Sequence, residues 1–352
     1  MRHLATAASI IACLVAPGHA LTAAAGEENQ HNPANAISVE IDHPDSFRHF
    51  APVLPATRAK AAEINTEFGL HVSEIEPRLF FLTDLIYQSA VLVTDAGVVV
   101  LDAPPSFGKG HRAAIEMVAP GVPITHLIMS HAHADHNGGG HSFADIDGLT
   151  VIAASANAES LAHNPLRGVP TPTQTFDEQL ALTIGGVPVA LQTASFHAED
   201  TDVIIHLPDQ RFLMAIDTIT PGEAPFMNFG ATSNFAGYLE SFETLLAYDF
   251  EHFLSGHVSV LGNRDDLLLA QAYTMDVRET IYGLMPGFND RMISAMRLVE
   301  FQNDNLAYRI AMEQIRDECT AGVIERWESR LSVVDLWAHS HCETVLLHAV
   351  TH

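Results

Sequence analysis

The chain has 352 residues, 47% of them hydrophobic and 17% charged, which allows a large folded core and excludes a mainly disordered chain. Its 43 acidic residues against 17 Lys and Arg give a formal net charge of -26. Such a surface repels nucleic-acid phosphates and anionic lipid headgroups, so we expect a small-molecule substrate and no nucleic-acid partner.

The N-terminus has the pattern of an export signal. Arg2 precedes an apolar run over residues 4–16, and residues 17–20 place a small residue at both positions that a signal peptidase inspects. The run is too short to span a bilayer, and no other stretch is long and apolar enough to do so. We therefore expect residues 1–20 to be a signal peptide and the protein to be periplasmic or secreted. A lipoprotein anchored through Cys13 and a buried N-terminal helix are the alternatives.

The next part of the chain divides into an extension and a block of strands. Residues 21–73 are expected to form an N-terminal extension, because the stretch up to Ala56 is polar and has no sustained period. Over residues 74–262, short apolar runs indicate strands that alternate with amphipathic segments, which predicts sheets covered by helices. The predicted strands are residues 79–82, 90–93, 98–101, 126–129, 180–184, 187–191, 203–207 and 212–216, and the predicted helices lie near residues 112–118, 156–162 and 235–248.

From Asp265 onward the apolar residues recur at spacings of three and four, for example in residues 307–315 and 323–331, which is typical of helices. We therefore expect residues 263–352 to form a helical C-terminal domain or lid, which either caps a pocket or makes a homodimer interface. Cys319 and Cys342 remain after removal of the signal. An even number of cysteines in an oxidising compartment favours one disulfide, with two separate buried thiols as the alternative.

The strongest chemical signal is a cluster of candidate ligands that directly follows the strand at residues 126–129. These are His131, His133, Asp135 and His136. On a loop that leaves a strand, His131 and His133 can share one metal ion, while Asp135 and His136 turn towards a second ion. Imidazole with carboxylate suits zinc, and a catalytic zinc site keeps one coordination position for water.

This motif resembles the signature of the metallo-β-lactamase superfamily. The resemblance implies an α/β fold, an αββα sandwich with a dinuclear metal site at one edge, here with an added helical C-terminal segment. It also implies further ligands in a set order: His197 for the first metal, Asp217 as the carboxylate that bridges both metals, and His257 for the second metal. Asp102 matches a buried acidic residue that supports the metal loop.

The resemblance further implies two zinc ions, with iron or manganese as other candidates, and hydrolysis by a metal-bridging hydroxide. Asp135 would orient this hydroxide and pass a proton to the leaving group. Asp217 resembles the residue of lactonases, thioesterases and phosphoesterases more than that of lactamases. The first prediction is therefore a zinc-dependent hydrolase of a carboxylic ester or lactone. A periplasmic β-lactamase acting on β-lactam amides and a non-catalytic metal-binding accessory protein are the alternatives.

The segment that follows Asp217 is expected to line the substrate pocket, as it does in this fold. Its apolar side chains would favour a small, partly apolar substrate, although hydrophobic core packing explains them about as well. The candidate pocket residues are Phe226, Met227, Phe229 and Tyr238.

Overall fold

The computed structural model describes residues 51–198 and 200–352. The predicted signal peptide, Cys13 and the first part of the predicted extension lie outside the described residues. The described strands are β1 (His71–Glu76), β2 (Leu79–Thr83), β3 (Gln88–Thr94), β4 (Gly97–Leu101), β5 (Ile124–Ile128), β6 (Thr150–Ala154), β7 (Gln174–Phe176), β8 (Gln179–Ile184), β9 (Val187–Ala194), β10 (Asp202–Leu207), β11 (Phe212–Met214) and β12 (His252–Leu254). The α-helices are α1 (Pro55–Lys60), α2 (Gly108–Val118), α3 (Ala134–Asn137), α4 (Ser155–His163), α5 (Met227–Ala231), α6 (Phe235–Leu246), α7 (Arg264–Leu284), α8 (Phe288–Leu298), α9 (Asp304–Trp327) and α10 (Val334–Thr351).

The strands form two sheets. One has the order β1-β2-β3-β4-β5-β6-β7, and the other has the order β12-β11-β10-β9-β8. In the first sheet β1 to β4 pair antiparallel, whereas β4 to β7 pair parallel. In the second sheet only the β11–β12 pair is parallel. The predicted hairpin between β8 and β9 is confirmed: Gly185 and Gly186 have φ of 53° and 86°, which a tight two-residue turn requires.

The two sheets face each other across an apolar core, to which Leu101 of β4 and Met214 of β11 both contribute. The outer face of the first sheet packs against α2 through residues such as Ile115. The outer face of the second sheet packs against α6, α7, α9 and α10, for example through Leu213 and Tyr238. These layers are helix, sheet, sheet and helix, so the predicted αββα sandwich with an added helical segment is confirmed.

The C-terminal helices do not form a separate core. Most of their buried apolar residues belong to the same cluster as Leu213 of β11 and Phe253 of β12. A disulfide joins Cys319 of α9 to Cys342 of α10, which settles the predicted alternatives in favour of the bridge. Among the described helices, none combines the length and the apolar character that crossing a membrane would need.

Several elements differ from the predictions. Strands β1, β6, β7 and β12 and helix α1 were not predicted. The strand predicted at residues 212–216 ends at Met214, where the chain begins to turn towards Asp217. The two helical runs predicted at residues 307–315 and 323–331 belong largely to one helix, α9, which ends at Trp327. The apolar spacing identified the helical region, but it did not place the helix ends.

Candidate metal centre

Residues at the ends of four strands meet at one edge of the sandwich. His131 follows β5, His197 follows β9, Asp217 follows β11 and His257 follows β12. Because β11 and β12 are parallel neighbours, their carboxyl ends lie side by side, and the Asp217 N–H donates to the Ser255 carbonyl at 2.9 Å. The structure therefore brings these histidines and Asp217 together with the loop that carries the sequence motif.

One group of ligand atoms comes from His131, His133, His197 and Asp217, and all of these atoms lie within 4.8 Å of one another. Asp217 Oδ2 lies 3.1 Å from His197 Nε2 and 3.6 Å from His131 Nε2. His133 Nδ1 lies 3.1 Å from His197 Nε2. Three imidazoles with one carboxylate oxygen form a donor set that zinc accepts.

A second group, with the same spread of at most 4.8 Å, comes from Asp135, His136 and His257. His136 Nε2 lies 3.1 Å from His257 Nε2, and Asp135 Oδ2 lies 3.5 Å from His136 Nε2 and 3.8 Å from His257 Nε2. Asp217 also faces this group, since its Oδ2 is 3.4 Å from His136 Nε2 and its Oδ1 is 3.0 Å from His257 Nε2. Asp217 thus lies between the two groups, as a bridging carboxylate would.

Burial and the neighbouring charges shift the pKa values of the carboxylate and the imidazoles in the cluster. Burial alone would raise the pKa of Asp217, but His136, His197 and His257 hold that pKa well below its usual range. Burial opposes the charged form of His136 as well, yet Asp217 raises the pKa of His136 to about 9. Burial lowers the pKa of His131 well below its usual range. The cluster therefore holds an ionised carboxylate among imidazoles that cannot all be protonated, which favours a cation at its centre.

A buried chain of hydrogen bonds supports His131 from behind. The Ser130 N–H and the Ser130 hydroxyl donate to the two carboxylate oxygens of Asp102, at 2.7 Å and 2.6 Å. The same hydroxyl oxygen lies 2.9 Å from His131 Nδ1 and accepts its proton, which leaves the Nε2 lone pair free to face the cluster. Asp102 is fully buried, and this burial raises its pKa to about 6. Asp102 thus lies behind the cluster, in the supporting position that the resemblance implies.

Two further supporting residues were missed by sequence reasoning. Asp202 Oδ2 accepts from the backbone N–H groups of Phe196 and His197, at 2.9 Å and 2.7 Å. The Gln88 side-chain amide donates to the His257 carbonyl at 2.8 Å. Both side chains hydrogen-bond to backbone groups rather than to a ligand side chain, so neither belongs to the ligand motif itself. Both are polar residues next to or within apolar strands, which is the signal that could have identified them.

The residues fit a pair of metal ions by their own chemistry. His131 Nε2 is buried and has no hydrogen-bond partner among the described residues, although it faces the cluster. A buried nitrogen without a partner is destabilising, and a bound cation would remove this penalty by accepting the Nε2 lone pair. Imidazole with carboxylate ligands is a donor set that suits zinc.

The cluster forms one end of a cavity of about 660 Å³. His133, Asp135, His197, Asp217 and His257 all contribute to its lining. The remaining wall is largely apolar, and none of the described residues that line it is Lys or Arg. The apolar lining side chains are Leu85, Ile86, Ile219, Ala224, Pro225, Phe226, Ala231, Val258, Val333, Leu336 and Trp337.

Of the four predicted pocket residues, one lines the cavity and three do not. Phe226 lines the cavity and is 51% exposed. Phe229 and Tyr238 do not line the cavity. Both are fully buried in the core beneath the second sheet, so the alternative explanation, hydrophobic core packing, applies to them. Met227 is half exposed but does not contribute to the lining either. The chain turns sharply after Phe226, so Phe226 lines the cavity whereas Phe229 is buried in the core.

Comparison with known proteins agrees with this geometry. Residues 83–257 match the family described as the Metallo-beta-lactamase superfamily. A curated relative, the 2,4-dinitroanisole O-demethylase subunit alpha of Nocardioides sp. (strain JS1661), is 26% identical over 202 residues, which are 56% of this chain and 61% of the relative. The chain thus spans less than two thirds of the length of this relative.

Two solved structures are similar to this chain, and one of them has a TM-score above 0.5. The stereoselective inverting sec-alkylsulfatase Pisa1 from Pseudomonas sp. is 17% identical, with a TM-score of 0.51 over 79% of this chain and 50% of that chain. A metallo-beta-lactamase from Pontibacter korlensis is 19% identical, with a TM-score of 0.47 over 58% of this chain and 97% of that chain. At these identities the likeness to the alkylsulfatase shows a common fold and nothing about the substrate.

Proposed function

Because the chain belongs to the metallo-β-lactamase superfamily, whose family model matches residues 83–257, we propose that it is a zinc-dependent hydrolase of a small, uncharged and partly apolar carboxylic ester or lactone. The observation that carries this proposal is the joining of two ligand groups to one apolar cavity. A ligand cluster alone would suit a binding protein, whereas the cavity gives a substrate access to it.

Two zinc ions fit the donor groups, one held by His131, His133 and His197 and the other by Asp135, His136 and His257, with Asp217 between them. Iron or manganese would find the same donors. When bound, such ions lower the pKa of water to near neutral and polarise the carbonyl of an ester.

The residues of the chain supply orientation and proton transfer. Asp135 lines the cavity and keeps 42% of its side chain exposed, so its carboxylate can accept the proton of an attacking water and deliver it to the leaving alcohol. Asp217 is nearly buried and stays ionised, so it contributes fixed negative charge rather than a mobile proton. The apolar wall would contact the hydrocarbon part of the ester and hold it beside the ligand cluster.

The lining supports an uncharged substrate. None of the described lining residues is a Lys or Arg that could pair with the charge of a sulfate or phosphate ester, so only the bound metal ions would offset that charge. The formal net charge of -26 repels an anionic substrate as it approaches. A neutral ester or lactone avoids this penalty, and the apolar wall accommodates its hydrocarbon part.

A second candidate is hydrolysis of an activated aryl methyl ether, in which water replaces the methoxy group and methanol leaves. The relative named 2,4-dinitroanisole O-demethylase subunit alpha favours this candidate. Such a substrate is also uncharged and partly apolar, so it suits the same cavity.

The test is a pH-stat measurement of proton release by zinc-loaded protein, offered lactones, aryl esters, a thioester and β-lactams, with methanol assayed separately for 2,4-dinitroanisole. Acid production from esters or lactones is the expected result. Preferential turnover of β-lactams would replace the proposal with a lactamase. Methanol release without ester turnover would replace it with the ether hydrolase.

We also propose that the protein is exported after removal of residues 1–20. The disulfide between Cys319 and Cys342 supports an oxidising compartment. Cell fractionation with mass measurement of the recovered chain tests this. A chain that begins at residue 21 in the periplasm or medium is expected, whereas a full-length chain in the cytoplasm would contradict the proposal.

A further inference from the structure

One wall of the cavity comes from the C-terminal helical segment, far along the chain from the candidate ligands. Val333, Leu336 and Trp337, at the start of α10, all line the cavity. Val333 has φ of 56°, which a β-branched residue rarely adopts, so the chain accepts local strain where this helix begins. The start of α10 is therefore placed to contact a substrate.

Trp337 and Phe226 form an aromatic pair within this wall. Their ring centroids are 4.9 Å apart and the ring planes meet at 62°, an edge-to-face arrangement. Phe226 keeps 51% of its surface exposed, although most large aromatic side chains of this core are buried. Phe226 is exposed and Trp337 is half-buried, and both line the cavity that contains the ligand cluster. An edge-to-face pair in this position can pack against a third ring.

Phe226 precedes a strained turn. Asn228, Phe229 and Ala231 have φ of 54°, 57° and 58°, and Gly230 has φ of 77°, so four successive residues adopt the left-handed conformation. Each such residue other than glycine costs about 1–2 kcal/mol, so the turn persists only where its surroundings hold it.

Helix α10 holds this turn. The Asn228 N–H donates to Ser340 Oγ at 3.1 Å, and His341 Nε2 lies 3.2 Å from the Phe226 carbonyl. The His341 ring also stacks on Phe229, with centroids 4.2 Å apart. One helix thus supplies Trp337 and also the residues that fix Phe226 opposite it.

The hydrogen bonds of His341 fix its state. It is fully buried, and burial lowers its pKa to about 4, so the ring is neutral. Since the Phe226 carbonyl can only accept, Nε2 carries the proton, and Nδ1 accepts from the Tyr273 hydroxyl at 2.7 Å. His341 therefore connects Tyr273 of α7 to the turn, with both ring nitrogens satisfied.

We propose that Trp337 and Phe226 form an aromatic clamp that selects substrates carrying an uncharged, planar aromatic ring, and that His341 positions this clamp. The inference rests on the proposed function, because it assigns the substrate class of the same cavity. It adds a structural role for the C-terminal helix, whose first turns determine which substrates enter.

The test compares benzyl acetate with cyclohexylmethyl acetate, two esters with similar leaving alcohols that differ in ring planarity. Their alcohols, benzyl alcohol and cyclohexylmethanol, serve as binding probes in ligand-observed NMR titrations of the zinc-loaded protein, so that binding is read without turnover. We expect benzyl alcohol to bind about five- to tenfold more tightly than its saturated analogue.

In W337L and F226L this preference for the planar ring should fall to less than about twofold, with KM for benzyl acetate rising and kcat little changed. The matched control is Y282L, which removes an exposed aromatic side chain of α7 outside the cavity and should keep the full preference. Equal binding of both alcohols by the unmodified protein, or a preference that survives in both W337L and F226L, would overturn the clamp.

His341 is tested with H341F and H341Q. The Phe variant keeps a ring on Phe229 but loses both hydrogen bonds, whereas Gln can restore a donor and an acceptor. A positioning role predicts that H341F loses the preference for benzyl alcohol and that H341Q regains at least half of it. A merely structural role predicts equal weakening for both alcohols. Should H341F fail to fold, W337L and F226L still decide the clamp.

Turnover separates failure of the inference from failure of the proposed function. Selective binding of benzyl alcohol that depends on Trp337, without hydrolysis of either acetate, would keep the clamp and refute the ester substrate. Hydrolysis of both acetates at equal KM would keep the ester hydrolase and refute the clamp.

Discussion

Gly230 packs directly against the backbone carbonyl of Asp217. A Cβ built on Gly230 would overlap that oxygen, and both residues have positive φ, 77° for Gly230 and 64° for Asp217. The carboxylate between the two ligand groups is therefore held in an unusual backbone conformation by a turn that itself depends on the absence of a side chain.

This contact predicts the effect of Gly230→Ala. The new methyl group would push the turn or Asp217 out of place, so we expect a loss of more than about 3 kcal/mol in the free energy of unfolding. Zinc affinity should also fall. Gly69→Ala is the control: Gly69 has φ of 84° but open space at its Cβ, so it should cost only about 1–2 kcal/mol for the backbone conformation. Equal losses for the two variants in urea unfolding would show that the contact is unimportant.

The hydrogen bonds from Asp102 through Ser130 predict the effect of Ser130→Ala. Without the hydroxyl, His131 Nδ1 loses its acceptor and the ring loses its fixed tautomer. We expect zinc affinity to fall about 10- to 100-fold, as for other supporting residues of metal ligands. Competition with a chromophoric chelator measures the affinity, and the exposed Ser329→Ala serves as the control. Unchanged affinity would mean that Ser130 does not orient His131.

The buried His111 predicts a loss of stability in acid. Its ring lies between Phe107 and Phe143, and burial lowers its pKa to about 3, so it stays neutral in the folded chain. Above pH 6.5 the ring is neutral in both states and contributes no pH dependence. Below pH 6.5 the unfolded chain binds a proton that the folded chain cannot, so stability falls as pH falls towards 3.

The expected slope from this group averages about 1 kcal/mol per pH unit between pH 6.5 and 5, and approaches about 1.4 kcal/mol per unit at lower pH. Urea unfolding of the metal-free protein between pH 6.5 and 5, compared with His111→Leu, isolates it, because the other titrating groups are common to both chains. A variant whose stability falls with the same slope as the unmodified chain would contradict the assignment.

The disulfide predicts a stability difference between oxidised and thiol-free chains. Cys319 and Cys342 are separated by 23 residues, and closing a loop of that length stabilises a fold by about 3 kcal/mol. We therefore expect the double variant Cys319→Ala, Cys342→Ala to unfold at a lower temperature, by calorimetry, than the oxidised protein. Reducing agent should lower the unfolding temperature of the unmodified chain alone. An equal response of both chains would argue against the bridge.

The sequence predicted much of the fold because its buried strands are short apolar runs that end at turn residues. The strand at residues 98–101 and the hairpin at Gly185-Gly186 are examples, and both are confirmed. Strands β7 and β12 were missed because each has three residues, too few to show a period. Their place in the sheets depends on neighbours that are distant in sequence.

The candidate site was also predicted in part: local patterns identified some residues, and contacts made in the fold determine the others. Local spacing and resemblance predicted the ligand residues that the structure brings together, but they did not identify Asp202 or Gln88, which hydrogen-bond to backbone groups of the ligand loops. The pocket was predicted only in part. Phe229 is separated from Phe226 by two residues, yet left-handed backbone directs it into the core, and the sequence gives no sign of that conformation.

The central claim is that the ligand cluster performs hydrolysis rather than only binding metal. Its most direct test is the ester turnover of Asp135→Asn, measured together with its zinc content by mass spectrometry at saturating zinc. Asn removes the carboxylate charge but keeps the size of the side chain, so we expect zinc to remain bound and turnover to fall at least about 100-fold. Full turnover in this variant, or no turnover by the zinc-loaded unmodified protein on any ester or lactone, would contradict the account.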